Sequence, residues 1–304
     1  MSITPQAVAS APAPVDVPLA PRRGRVPQWV RILWANGKSR VGLGLLAVFV
    51  LTAVFAPVLA PFDPSSAEFE AGLAPSGEHW LGTTTQGQDV LSQLIYGART
   101  SLLVGLVAGT FATIIALLIG LTAGYLRGWV DEFLSGLTNL ALVIPVLPLM
   151  VTLAAYAPVR GVWLIIFVIS VTGWAFGAKI KRAQIITLRT RDYVTAAKLA
   201  GDGTMRIIFR EIMPNMSSLV VVGFMGAATA AVGGEAGLEF LGLGDPTTIS
   251  WGTMLYWADN GGALLTGQWA WLIAPGLALT VLVTAMTLIN FGVDALSNPA
   301  LREE

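Results

Sequence analysis

The chain has 304 residues, 55% apolar and only 12% charged, with no net charge and a mean hydropathy of +0.71. Soluble domains carry about 25% charged residues, so this composition selects lipid as the solvent and excludes a basic nucleic-acid-binding surface. The absence of cysteine and a lone histidine, His79, exclude disulfides, thiolate chemistry and a multi-histidine metal centre.

Residues 1–21, MSITPQAVASAPAPVDVPLAP, are rich in Ala and Pro. They lack the basic start and apolar core of a secretory signal and are expected to be a disordered tail. Charge-free windows long enough to cross a bilayer then follow at Val41–Phe62, Ser101–Leu126, Phe133–Val159, Gly161–Ala178, Ile212–Gly234 and Asn260–Val293. The runs are continuous rather than alternating, which predicts helices and not barrel strands. The expected organisation is a cytoplasmic tail over 1–37, a first span over 38–62 and an extracytoplasmic loop over 63–100. A five-helix core over 101–295 carries a cytoplasmic loop at 179–216, and a short cytoplasmic tail over 296–304 closes the chain.

Basic residues set the direction. With six spans, 16 of the 18 Lys and Arg residues fall on one side, and only Arg99 and Arg160 on the other. Both termini and the loop between spans four and five are therefore expected in the cytoplasm of a bacterial or archaeal cell, with the protein in its inner membrane. Glycines at four-residue spacing in the second span, Gly105 and Gly109, then Gly120, Gly124 and Gly128, allow close helix approach. Ordinary intramolecular packing and a subunit contact both fit that pattern.

No H-E-x-x-H, G-x-S-x-G or paired-carboxylate set appears, so the chain is not expected to be an enzyme. Gly37-Lys38-Ser39 resembles the end of a phosphate loop, but Ile32 stands where that loop needs glycine. His79, beside Trp80, is expected to be a structural hydrogen-bonder. Trp80, Trp251, Trp257 and Trp269 are candidates for the membrane interface or a docking face. Asn139, Glu235 and Glu239 are polar groups in or beside apolar helices, and so candidates for a translocation path or for structural bonds.

The stretch YVTAAKLAGDGTMRIIFREIMPN, Tyr193–Asn215, interrupts the apolar pattern. The spacing predicts a helix over Ala183–Ala200 with Ile186, Tyr193, Ala197 and Ala200 on one face, ended by Gly201. Asp202 and Thr204 are candidate N-caps of a second short helix. Met205, Ile208, Phe209 and Ile212 form its apolar face and Arg206 and Arg210 another, before Pro214 turns the chain back to the membrane. Such a helix fits a groove on a partner protein or rests on lipid headgroups.

Thr195-Ala196-Ala197, Gly201 and Ile212-Met213-Pro214 resemble the EAA loop of importer-type ABC transporter permeases, with Thr195 at the usual Glu and Met213 at the usual Leu. KSRVGLGLLAVFVLTAVFAPVLAPFDP, HWLGTTTQGQDVLSQLIYGARTSLLVGL, EAGLEFLGLG and SWGTML are similar to segments of the dipeptide/oligopeptide (DppC/OppC-like) branch. Thr84, Gln88, Gln93, Asn139 and Glu239 depart from its usual residues. The resemblance implies an all-α membrane protein with six transmembrane helices, the type I ABC importer permease fold and a cytoplasmic coupling helix. It implies a second homologous permease, two cytoplasmic ABC ATPases that hold ATP and Mg, an extracytoplasmic substrate-binding protein and surrounding lipid as partners. No cofactor of its own and no nucleic acid is implied. The ATPase-coupling residues carried over are Thr195, Ala196, Ala197, Gly201, Asp202, Thr204, Met205, Arg206, Ile208, Phe209, Arg210 and Pro214. Peptides are the expected substrate. Oligosaccharides on the same fold, and a non-transporting scaffold or channel, are the alternatives.

Overall fold

The computed structural model of the protein describes Trp34 and residues 36–297. The rest of the expected tails lies outside this range. Helix α1, Gly37–Val54, starts where the Asn36 side chain accepts hydrogen bonds from the backbone of Lys38 (3.0 Å) and Ser39 (3.2 Å). Gly37-Lys38-Ser39 is thus an ordinary capped first turn. After the short α2, Ala56–Leu59, residues 60–89 fold around His79. Its Nδ1 lies 2.9 Å from Asp89 Oδ1, and its ring packs on Phe62 and Phe69 at 5.0 and 4.5 Å. Asp89 also caps α3, Val90–Tyr125, by accepting from the Ser92 backbone at 2.8 Å. That cap explains why α3 begins well before the charge-free window at Ser101.

The third and fourth spans are broken. Helices α4, Trp129–Val143, and α5, Val146–Ala155, meet at 87°; α6, Val162–Thr172, and α7, Ala175–Leu188, meet at 40°. Ile144 precedes Pro145 and is held extended (ψ 125°), as a residue before proline must be, so α4 stops there. Gly173 marks the milder bend. Next come α8, Asp192–Leu199; α9, Thr204–Arg206; a π-helical turn, Ile207–Ile212; and α10, Met213–Asn215. Helices α11, Ser217–Phe240, α12, Trp251–Asn260, and α13, Trp269–Ser297, complete the fold. The fifth span thus starts at Ser217 rather than Ile212, and Asn260 ends α12 instead of opening the sixth. Four helices (α1, α3, α11 and α13) are long and apolar enough to cross a membrane, and counting each bent pair as one span gives up to six.

Helix α3 is the axis of the bundle, and its glycines are contact points within the chain. A methyl group on Gly109 would lie 2.7 Å from Ala228 Cα in α11, and one on Gly120 would lie 2.7 Å from the Ala178 carbonyl of α7. Gly105 and Gly124 meet Val232 and Ile185 in the same way. The four-residue spacing therefore serves intramolecular packing, up to Gly128, which faces open space.

Candidate functional site

At the basic end of the bundle the chain between α7 and α11 is built onto the spans. Leu121 of α3, Ile185 and Leu188 of α7, Val194 of α8 and Ile207, Ile208, Ile212 and Met216 form one buried apolar cluster. Polar ties fix its edges. Arg182 donates to both oxygens of Asp131 at 2.6 and 2.9 Å, joining α7 to α4. Arg189 donates to the Gly124 carbonyl at 2.6 Å, satisfying one of the last carbonyls of α3. Lys198 sits 5.5 Å from the Tyr125 ring.

This arrangement alters the expected helices. Arg189–Arg191 break the single helix expected over Ala183–Ala200, and the Arg189 side chain there reaches back to cap α3. Val194 of α8 is buried and Ala197 packs beside it, while Thr195 and Ala196 are exposed. Gly201 takes φ +83°, a left-handed conformation that side chains resist. Neither Asp202 nor Thr204 is an N-cap: Gly203 holds that position, and Asp202 instead pairs with Arg206 at 3.2 Å. The apolar face also splits. Ile207, Ile208 and Ile212 are buried, whereas Met205 is 66% and Phe209 43% exposed. Beside them Leu199, not singled out in the sequence, is 86% exposed. An α-helical period does not mark Ile207, because the π-helical turn shifts the register by one residue: the Met213 N–H donates to the Ile208 carbonyl, five residues back. Pro214 follows inside α10, and Arg210 remains exposed. Asp131 offered one usable signal, a carboxylate in the first turn of a helix.

A second feature lies at the 87° bend. A cavity of about 600 Å³ is lined by α4 and α5 around Ile144, Pro145 and Leu147, by Thr172 and Phe176, and by Ala227, Ala230 and Gly233 of α11, among others. Among the described residues, all those lining it are uncharged. The three polar candidates lie elsewhere. Asn139 is exposed near the basic end, 3.4 Å from Lys179 Nζ. Glu235 and Glu239 are buried at 0% and 2% exposure on the other side of α11. Glu235 accepts from the Ser101 hydroxyl of α3 at 3.2 Å, and Glu239 from Ser250, the N-cap of α12. They hold three helices together at the end opposite the basic one. Trp80 and Trp269 are exposed and Trp257 partly so, but Trp251 is a core residue at 1% exposure, its indole N–H donating to the Leu94 carbonyl at 2.9 Å.

Sequence comparison gives the class of protein to which this bundle of bent spans belongs, a transport permease. The chain belongs to the family described as the binding-protein-dependent transport system inner membrane component, whose model matches residues 116–303. Residues 28–75 match the N-terminal TM domain of oligopeptide transport permease C, placing the chain in the dipeptide/oligopeptide branch. It is 30% identical over 271 residues to the oligopeptide transport system permease protein OppC of Bacillus subtilis (strain 168), covering 88% of each chain. It is 35% identical to the di/tripeptide transport system permease protein DppC of Pseudomonas aeruginosa (strain UCBPP-PA14), over 88% of this chain and 90% of that one. In fold it is similar to a chain of the MetNI methionine ABC transporter in an inward facing conformation. The TM-score is 0.56 at 20% identity, over 69% of this chain and 97% of the other. The protein is a transmembrane permease subunit of an ABC importer.

Proposed function

We propose that this permease passes di- and oligopeptides, and that it couples their movement to ATP hydrolysis through the surface formed by Leu199, Met205 and Phe209. The carrying observation is the division of labour in that segment: Ile207, Ile208 and Ile212 are locked into the span cluster while Met205 and Phe209 stay exposed. Apolar knobs on a rigid base suit insertion into a groove on a partner. We infer that the basic end faces the cytoplasm, as the positive-inside rule requires. Two ATPases, which hold ATP and Mg, then dock there, one on this chain and one on a second homologous permease. A substrate-binding protein delivers ligand at the opposite end. Closure of the ATPases moves the docked segment, and the Arg182–Asp131 and Arg189–Gly124 ties carry that movement to α4 and α3. The cavity at the 87° bend is this chain's part of the path. Its uncharged walls suit a substrate whose backbone polarity must slide rather than stick.

The test is uptake by the reconstituted complex carrying Phe209→Asp and Met205→Asp. The expected result is loss of ATP-driven peptide uptake, with the two permeases still associated but the ATPases no longer co-purifying. Retained ATPase binding and uptake would remove the coupling role. Uptake of oligosaccharides but not peptides by the wild type would transfer the same mechanism to the other substrate class.

A further inference from the structure

Among the many basic residues of the 179–216 segment, Lys181 stands apart. Its side chain is 2% exposed and lies inside the bundle between α3, α7 and α11. Methyl groups on Gly177 and Gly223 would lie 3.2 and 2.9 Å from its Nζ, while one on Gly120 would lie 3.0 Å from its Cβ. The side chain therefore runs back along α7 by one turn, from 181 toward 177, as long helical side chains do. This carries the ammonium away from the basic end and into the apolar layer, the reverse of snorkelling. Its neighbours are satisfied: Lys179 reaches Asn139 and Arg182 grips Asp131. Among the described residues, Lys181 has no ion pair and no hydrogen-bond acceptor. A buried, unpartnered cation in a membrane span is costly and points to a ligand.

Position says which ligand. Gly177 and Gly223 lie one helical turn beyond Gly173 and Ala227, which line the large cavity. The ammonium thus lies one helical turn below those wall residues, between α7 and α11, while Lys179, the first charge along α7 beyond the cavity, is turned to Asn139 of α4. Glu235 faces away from it toward Ser101, and Asp131 is held by Arg182. We propose that Lys181 receives the carboxylate of a substrate as it leaves the cavity toward the basic end. It would then select peptides with a free C-terminus. This rests on the cavity being the path and on peptides being the cargo, so the test separates the three.

The chain has no cysteine, so Ala227→Cys places a single thiol in the cavity wall, and Ala230→Cys a second alternative. The first measurement is the reaction rate of that thiol with an anionic and a cationic methanethiosulfonate reagent, with Lys181 present or replaced in Lys181→Met. The anionic reagent is expected to be favoured, and Lys181→Met to lower that preference about tenfold or more, as a unit charge within several ångströms does. An unchanged ratio, or thiols that do not react at either position, would overturn the proposal without reference to any substrate. The second measurement is uptake of one peptide as its free acid and as its C-terminal amide. Lys181→Met should cut free-acid uptake about tenfold, leave the amide unchanged, and be rescued by Lys181→Arg. Equal loss of both forms would assign Lys181 to packing. A wild type that moves neither form, with the reagent ratio still sensitive to Lys181, would retire peptides as cargo and with them this role, while leaving the charged cavity standing.

Discussion

The two long faces of α11 are made of the same small residues and do opposite things. On one face Ala228 and Val232 meet Gly109 and Gly105 of α3 with no room for a methyl group, the nearest atoms lying 2.7 and 2.6 Å from where it would stand. On the other face Ala227, Ala230 and Gly233 border the cavity, and a methyl on Gly233 would meet nothing within 4 Å. Small side chains in a membrane helix thus permit either the closest approach of a neighbour or the maintenance of empty space. The partner helix decides which. Opposite Ala228 stands the straight, capped α3; opposite Ala227 stand α4 and α5, which Pro145 has bent out of the way.

Substitutions across the two faces give a graded contrast. Gly109→Leu, which drives a branched side chain into the Ala228 backbone, is expected to abolish accumulation of folded protein in membranes, measured by fluorescence-detected size exclusion. Gly120→Ala should survive at a cost of about 1–3 kcal/mol, typical of overpacking, seen as a lower Tm in detergent. Arg182→Ala removes a bidentate ion pair whose side chains are 34% and 20% exposed. Solvent screening reduces its worth to about 1 kcal/mol, so the Tm should fall slightly while ATP-driven uptake falls more, because the tie to α4 is lost. Gly233→Ala should leave stability within about 0.5 kcal/mol of wild type; a fall as large as that of Gly120→Ala would erase the distinction between the faces.

Much of this architecture was legible from apolar windows and charge asymmetry, because a span must be long and uncharged. Boundaries were less legible where a charge lies inside a helix. α3 contains Arg99, 5.7 Å from the Tyr96 ring, and so starts earlier than a charge-free window allows. α7 continues from Ala178 to Leu188 through Lys179, Lys181 and Arg182, so Lys181, counted with the loop cations, lies within a helix. Trp251 shares the composition of an interface tryptophan, yet Gly97 leaves it room inside: a methyl there would lie 2.8 Å from its ring. Nothing in local spacing announces such a partner 154 positions away in the chain (251 against 97). Between α8 and α11 the exposed knobs Met205 and Phe209 are visible in the sequence as apolar residues, but their separation from buried Ile207 depends on the π-helical turn, which an α-helical period conceals.

That turn has a further meaning as a matter of chain length. A π-helical turn is an α-helix that has taken in one residue too many. Deleting one residue from Ile207–Ile212 would restore regular winding while leaving the flanking residues near their present phase, because the wider turn absorbs the extra residue instead of passing it on as rotation. The segment is a gear with one extra tooth, taken up in a wider turn so that the teeth on either side keep their mesh.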